Sequence, residues 1–458
     1  MTNVYSCDHD IDATHEIFEF INYSSFINKQ TFKYKNKDLS GYYTYVYNTL
    51  TNQILRSNAN NDLHRYAIKY HDIALTDNQI SLEDCIGKIK KHFLFGNKID
   101  YRFLLLSQLL HGLNILNIKP SEPELGYLKS TLKLSNKEFD KAIKYAENQN
   151  AITDDKIANT FIKFADFTNR QKRYKETNIK HIGICANMSS GKSTFVNALL
   201  GYDYLPARNE ATTACITSVY DWDFATRLLG VATKENKIYS ISDDANTKTI
   251  DTWNAEAEHI VLQADLDNIS NSNFIVAVHD TPGVNNGSND EHKKVTMEFF
   301  KNNKMDLILY VANAEHLATD DDKALLNELK ERILPNSKAK VIFVINKFDC
   351  IDTQKENKDK IIAKYKDFLA NLGYENPQIY PLSSKAARLF KMAIKNKTNL
   401  FSRKENSDFR LLLDIFTQMD KNVGFEGEQA ESSKLHLALK NTGLSKLEQN
   451  LQDIFKKD

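Results

Sequence analysis

The stretch Ala186-Asn187-Met188-Ser189-Ser190-Gly191-Lys192-Ser193-Thr194 decides how the chain is read. It follows the apolar run His181-Ile182-Gly183-Ile184-Cys185 and leads into Phe195-Val196-Asn197-Ala198-Leu199-Leu200, the pattern of a buried strand, a tight loop and a helix. In such a loop successive backbone N–H groups and the helix N-terminus converge on a phosphate, Lys192 reaches the β/γ oxygens, and the Ser193 hydroxyl is a ligand for Mg²⁺. Ser190, Gly191 and Thr194 complete the expected contacts to a nucleoside triphosphate. The common pattern is G-x-x-x-x-G-K-S/T. Here Ala186 replaces the first glycine, so that position is expected to avoid positive φ, while the second glycine, Gly191, is kept.

Working outward, 458 residues allow two or three domains and a sizeable core. Sixty basic residues balance sixty acidic ones, so no global field favours DNA, RNA or an anionic membrane. The start, Met1-Thr2-Asn3-Val4-Tyr5-Ser6-Cys7-Asp8, has neither a basic stretch nor an apolar one, and no run of about twenty apolar residues occurs. The chain therefore reads as soluble and cytoplasmic. Cys7, Cys85, Cys185, Cys215 and Cys350 are scattered and lack C-x-x-C spacing, which supports neither a disulfide framework nor a zinc site. Cys185 and Cys350 are expected to be small buried apolar residues. Cys7-Asp8-His9-Asp10 reads as a solvated stretch more readily than as a metal site.

Residues 1–178 read as an all-α domain, and 179–458 as the α/β domain that holds the phosphate loop. Tyr101-Arg102-Phe103-Leu104-Leu105-Leu106-Ser107-Gln108-Leu109-Leu110 is apolar on most sides, Ser121-Glu122-Pro123-Glu124 opens the next helix, and Ser135-Asn136-Lys137-Glu138 is a capping box. The pairing of the Pro120–Leu125 and Leu134–Phe139 segments faintly resembles the TerB-like helical module of tellurite-resistance proteins. The first 60 residues show no clear period. Phe167 to Asn178 is a basic connection between the domains.

Beyond the phosphate loop, strands are expected at 181–186, 215–222, 228–233, 237–241, 273–279, 306–312, 340–345 and 378–381. Helices are expected at 290–303, 320–333, 356–371, 384–395, 408–419 and 445–456. The alternation describes a doubly wound sheet with ligands at the carboxyl ends of its strands. Phe274-Ile275-Val276-Ala277-Val278-His279 ends in Asp280-Thr281-Pro282-Gly283: the Asp meets Mg²⁺ through water and the Gly N–H senses a γ-phosphate. Val341-Ile342-Phe343-Val344-Ile345 ends in Asn346-Lys347-Phe348-Asp349. The Asp349 carboxylate can accept both N1–H and the 2-amino group of guanine, a discrimination on the order of 10⁴-fold against adenine. Asn346 is expected to tie the base loop to the phosphate loop, and the Lys347 stem to cover the base. Ser383-Ser384-Lys385 supplies a turn whose N–H meets guanine O6. Four motifs in this order point to GTP.

Ser189-Ser190-Gly191-Lys192-Ser193-Thr194, then Asn197-Ala198-Leu199-Leu200-Gly201, Leu205-Pro206 and Ala211-Thr212-Thr213-Ala214-Cys215-Ile216-Thr217, resembles the GTPase domain of bacterial dynamin-like proteins. The resemblance spans roughly 180–456. It implies GTP hydrolysis with Mg²⁺ held by Ser193, Asp280 and a threonine of the first switch, Thr213 with Thr212 as the alternative. It also implies a monovalent cation, K⁺, placed by Ser189, a G-domain homodimer or dynamin-like partner, and contact with membrane lipid at the inner face. Two departures stand out. Met188 and Val284 occupy positions where related enzymes carry a water-orienting Gln, which predicts slow basal hydrolysis accelerated by association. No counterpart of the family's long helical stalk is read after Thr442–Glu448, which is expected of a fragment, of a protein whose lever a partner supplies, or of a switch, and the polar Gly424–Ser433 insertion reads as a mobile loop. A translation-type GTPase acting on ribosome or tRNA, and a GTP-binding scaffold with little turnover, share the same motifs.

Overall fold

The computed structural model describes residues 18–20, 22–23, 37–60, 62–74, 81–89, 92–94, 97–99, 101–147, 178–206, 215–222, 228–235, 237–266, 269, 274–284, 290–351, 357–418 and 428–457. The chain divides into two compact units, one over His9–Glu176 and one containing Thr177–Asp458. Cys7–Asp10, the basic connection through residue 177, Thr212 and Thr213, and residues 424–427 lie outside the described residues.

The first unit packs helices α1 (Lys37–Asn58), α2 (Asp62–Ala74), α3 (Leu82–Ile89), α4 (Tyr101–Ile115), α5 (Glu122–Thr131) and α6 (Asn136–Glu147), with a short antiparallel hairpin of β1 (His92–Leu94) and β2 (Asn97–Ile99). The period of α1 is hidden in the sequence because its buried face is polar as well as aromatic. Tyr43, Tyr47, Asn48, Thr51 and Asn52 are all buried. Tyr43 donates to Gln108 Oε1 and Tyr23 to Gln108 O at 2.6 Å, while Asn48 Oδ1 lies 2.9 Å from His71 Nδ1. Burial pushes the His71 pKa down to about 3, so its imidazole is neutral. α5 and α6 begin as expected: Ser121 N–H donates to Glu124 at 2.7 Å and Ser135 N–H to Glu138 at 2.9 Å.

The second unit is a nine-stranded mixed sheet. In chain order it comprises β3 (Asn178–Ala186), α7 (Lys192–Leu200), β4 (Ile216–Asp221), β5 (Leu229–Lys234), β6 (Lys237–Ser242), α8 (Thr247–Asn254), β7 (His259–Ala264), β8 (Phe274–Asp280), α9 (Asp290–Asn302), β9 (Leu307–Asn313), α10 (Asp320–Glu328), β10 (Lys340–Asn346), α11 (Lys358–Asn371), β11 (Gln378–Pro381), α12 (Ser384–Ile394), α13 (Arg403–Gln418), α14 (Glu428–Asn441) and α15 (Leu444–Lys457). The order across the sheet is β11-β10-β9-β3-β8-β4-β7-β5-β6. Strands β11 to β8 run parallel, β4 is antiparallel to β8, and β7, β5 and β6 extend that edge. The chain passes from β8 to β9 across β3, so the crevice at their carboxyl ends opens directly above β3.

Every residue of β8 is buried, as its apolar run requires of a strand covered on both faces. Gly183 in β3 lets Phe300 of α9 lie flat against the sheet, since an added Cβ would sit 2.4 Å from its ring. Three elements escaped the sequence reading. α8 is short and mostly polar, Thr247–Asn254, and β7 follows it within five residues, so neither shows a long period of its own. α14 replaces the expected loop from Glu428 onward, its sequence being polar apart from the few residues that touch α12 and α13, such as Ala438. The helix expected over 320–333 stops at Glu328 and continues as a π-helical turn, Leu329–Ile333.

α15 returns to the main core through Leu444, Leu447, Leu451 and Phe455. Lys391 of α12 and Glu448 of α15, each 3% exposed, pair at 2.6 Å, and Lys391 Nζ also donates to Leu199 O at 3.1 Å. Glu448→Ala leaves a buried ammonium without its counter-charge. Urea denaturation is expected to show about 3–5 kcal/mol lost, with most of it recovered in Lys391→Met/Glu448→Leu.

Candidate nucleotide site

The phosphate loop leaves β3 at Ala186, which is still extended, so the missing first glycine is tolerated. The left-handed positions fall later, at Ser189 (φ 61°) and Gly191 (φ 84°). Gly191 is required twice over, because an added Cβ would meet Asn346 Nδ2 at 2.5 Å. Lys192, the first residue of α7, forms an ion pair with Asp280 Oδ1, and Ser193 Oγ lies 3.3 Å from Asp280 Oδ2. The Lys192 and Asp280 side chains are about nine-tenths buried. A hydroxyl and a carboxylate oxygen thus converge beside an ammonium at the carboxyl end of β8.

Behind Asp280 a hydrogen-bonded chain crosses the sheet, from His181 Nδ1 to His279 Nε2 (2.9 Å), from His279 Nδ1 to Ser218 Oγ (2.7 Å), and on to His259 Nε2 (2.7 Å). Burial, reinforced by the neighbouring imidazoles, holds the His279 pKa well below its ordinary value, so no positive charge competes with Lys192 for Asp280.

The Asp280–Gly283 loop is fastened to the phosphate loop. Thr281 Oγ1 donates to Ile184 O at 2.7 Å, Val284 N–H to Ala186 O at 3.2 Å, and Met188 N–H to Val284 O at 2.9 Å. Gly283 faces Met188 so closely that an added Cβ would lie 3.3 Å from Met188 Cγ and 3.6 Å from its Cα. The Val284 side chain is buried.

Asn346 ends β10 and joins three loops. Its Nδ2 donates to Ser190 O at 2.8 Å, and its Oδ1 accepts from Ser384 N–H at 3.0 Å. The Ser384 N–H of the 383–385 turn is therefore already committed to Asn346. Lys347 takes a left-handed φ of 60° and its Nζ lies 3.5 Å from Glu315 Oε2. Asp349 follows on a short 3₁₀ turn, Phe348–Cys350, and Cys350 is exposed, contrary to the expected buried thiol, whereas Cys185 is buried with its pKa pushed up to about 12. A cavity of about 500 Å³ brings Gly191, Thr194, Asn346, Lys347, Asp349 and Lys385 together. Lys385 pairs with Asp408 of α13 at 2.6 Å. The 383–385 turn rests on the α14–α15 junction, where Ser383 N–H donates to Thr442 O at 3.0 Å and Gly443, at φ 87°, has Pro381 O where a Cβ would stand.

Several residues that shape the site had no role assigned from sequence. Asn197, 1% exposed within an apolar helix, accepts from Leu205 N–H at 2.8 Å and donates to Leu205 O at 2.8 Å, fixing the chain beyond α7. A lone Asn in Phe195-Val196-Asn197-Ala198-Leu199-Leu200 was the signal available. Arg388 bridges Asp203 and Glu405, a long-range pairing with no local signature.

Residues 182–348, just over a third of the chain, match the Dynamin family. An uncharacterised Caldicellulosiruptor protein encoded in a xynA 3′ region is 27% identical over 46% of this chain and 50% of its own length. Dynamin-like protein A of Bacillus subtilis is 22% identical over 57% of this chain and 22% of its own. The chain thus spans half the length of the first relative and about a fifth of the second. A solved structure of an oligomerised bacterial dynamin pair is 17% identical, covering 95% of this chain and 66% of that one with a TM-score of 0.38. The matched segment contains both the phosphate loop and the Asp280–Gly283 loop, and the chain carries a dynamin-like GTPase domain.

Proposed function

We propose that the chain hydrolyses GTP to GDP and phosphate by in-line attack of water on the γ-phosphate. The observation that carries this reading is Asn346, which ties the loop bearing Asp349 to the phosphate loop through Ser190 O, so the cavity lined by Lys347, Asp349 and Lys385 reaches the phosphate loop at Gly191 and Thr194. The buried Ser190 and Ser384 hydroxyls have no hydrogen-bond partner among the described residues, which suits polar contacts with a nucleotide.

In this reading the N–H groups from Ser189 to Thr194 cradle the phosphates, Lys192 leaves Asp280 for the β/γ oxygens, and Gly283 faces the γ-phosphate. Lys347 and Lys385 flank the base that Asp349 selects. Ser193 Oγ and the Asp280 carboxylate are hard oxygen donors side by side, as Mg²⁺ demands, with Thr213 as the third member of that set. Bound Mg²⁺ supplies charge neutralisation on the β/γ oxygens. Ser189 is assigned to a K⁺ beside the bridging oxygen. Neither Met188, a thioether, nor Val284, buried against the loop, can orient water, so turnover rises when a second G domain or a dynamin-like partner completes the site. Coupling of that cycle to a membrane, with the protein peripheral at its inner face, follows from the family reading. No helix among the described residues is long and apolar enough to cross a membrane.

GTP turnover measured against protein concentration, in potassium and then in sodium, is expected to climb in specific activity with concentration and to fall at least about 100-fold in Lys192→Ala. Flat, near-zero turnover despite tight binding would instead favour a GTP-binding scaffold. GTP is expected to be preferred over ATP on the order of 10⁴-fold. Asn346→Ala strips the Ser190 carbonyl and the Ser384 N–H of their partner. Calorimetry is expected to show GDP affinity weakened by about 2 kcal/mol, roughly 30-fold.

A further inference from the structure

We infer that Asp322 is a positioning residue which, acting through Asn187, holds the leading turn of the phosphate loop against the γ-phosphate. The inference rests on the GTP reading of the site and adds to it a residue 135 positions away from the Asn187 it acts through.

Asp322 lies in the first turn of α10 and is 3% exposed. Its Oδ1 accepts from Asn187 Nδ2–H at 2.7 Å and from the Tyr310 hydroxyl at 2.6 Å, and its Oδ2 accepts from Thr319 N–H at 3.2 Å. Burial, followed by the charge of Asp322, raises the Tyr310 pKa well above its ordinary value, so the phenol stays a donor. Three donors on two oxygens use the capacity of a carboxylate more fully than helix capping alone requires, and the capping contact occupies only Oδ2.

Asn187 is held on its backbone side as well, through the bridge it makes with Val284. Beyond this doubly held residue the chain turns through Met188, which abuts Gly283, and Ser189, a non-glycine residue at φ 61°. A left-handed serine persists only where its surroundings over-determine it. Ser190, and Lys192 and Ser193 at the helix end of the loop, are secured independently by Asn346 and Asp280. The Asp322–Asn187 bond therefore acts on the half of the loop that faces Gly283, the γ side, and leaves the β-phosphate cradle in place.

The test uses the full chain and compares Mg²⁺-loaded binding of GDP with that of a non-hydrolysable GTP analogue carrying a β,γ-imido bridge, by titration calorimetry. Asn187→Ala is expected to weaken the analogue about tenfold and GDP less than about threefold, through loss of the charge-assisted bond to Asp322 and of the longer one, 3.4 Å, to the Tyr310 hydroxyl. Asp322→Asn cannot serve all three donors and is expected to show the same selectivity loss. The double variant is expected to be no more than about threefold worse than either single one, because both break the Asn187–Asp322 bond. Thr319→Ala breaks the helix cap alone, through the 3.1 Å bond from Asp322 N–H. It should lower the melting temperature while leaving the analogue-to-GDP ratio within about twofold. Should Asp322→Asn fail to fold, Tyr310→Phe takes its place in the cycle, with an expected loss of about threefold in the ratio. An unchanged ratio in Asn187→Ala, or effects that multiply in the double variant, overturns the inference. Wild-type turnover is scored separately: nucleotide binding without hydrolysis sinks the enzymatic reading alone, and no guanine-nucleotide binding at all sinks both.

Discussion

The carboxamide of Asn346 is the contact on which the rest of the site depends. It spans 156 residues of sequence to reach Ser190 O and 38 to receive the Ser384 N–H, and all three partners are buried. Each is a backbone or amide group that cannot be solvated where it lies, so breaking the set costs the desolvation of every group left behind, about 1–3 kcal/mol apiece. The sheet brings the ends of β3, β10 and β11 to within reach of one another; backbone bonds between Leu382 and residues 345 and 348 tie β10 to β11, and the Asn346 side chain ties both to the phosphate loop. Gly191 shows how tight the fit is, since no residue with a Cβ can stand where Asn346 passes.

The base side of the cavity is supported from behind by helices that a minimal nucleotide-binding sheet does not need. Ser383 hangs from Thr442 O, Gly443 packs against Pro381 O, and α15 is anchored to the core by Leu444, Leu447, Leu451 and Phe455. The buried Lys391–Glu448 pair then locks α12 to α15. Buried pairs of this kind add little net stability relative to apolar residues, but they penalise any arrangement in which the partners separate. Their value here is registry: α12 begins at the base-facing turn, and α15 fixes where it begins. On its other side α13 reaches the same turn through Asp408 and the Arg388–Glu405 bond, so α13 and α15 both constrain the 383–385 turn.

The motifs were legible because their chemistry is local. A strand, a glycine-bearing loop and a helix occupy consecutive residues, and β8 and β10 end where their apolar runs end. The same logic located β11 and both helix caps in the first unit. What stayed hidden depends on partners distant in sequence. Nothing around Asp322 distinguishes an ordinary first-turn acid from the acceptor of Asn187, and Arg388 looks like any helix-surface cation until Asp203 arrives from 185 residues away. α1 failed for a different reason: the face it buries carries Asn48, Thr51 and Asn52 as well as Tyr43 and Tyr47, whereas periodicity analysis counts only apolar positions. α14 failed because it buries little of itself, packing on α12 and α13 through a few small or partly covered side chains.

The two bonds between the phosphate loop and the Asp280–Gly283 loop set how the chain can respond to its nucleotide. Met188 N–H to Val284 O and Val284 N–H to Ala186 O clasp residues 186–188 and 284 together, with Gly283 pressed on Met188 between them. Each such bond is worth about 0.5–1.5 kcal/mol net. In the proposed cycle a γ-phosphate drawing on the Gly283 N–H would pull against that clasp, and the difference available to switch the loop would be the new charge-assisted contact minus the backbone bonds it breaks. That margin is small, of the order that divides comparably populated states. A clasp of this strength favours a loop whose position is decided by what packs on it from outside as much as by the phosphate within. In the proposed cycle the absence of an amide at Met188 and Val284 points the same way: nucleotide contacts come from this chain's strand ends, and water would be positioned by the first switch or by a neighbouring molecule.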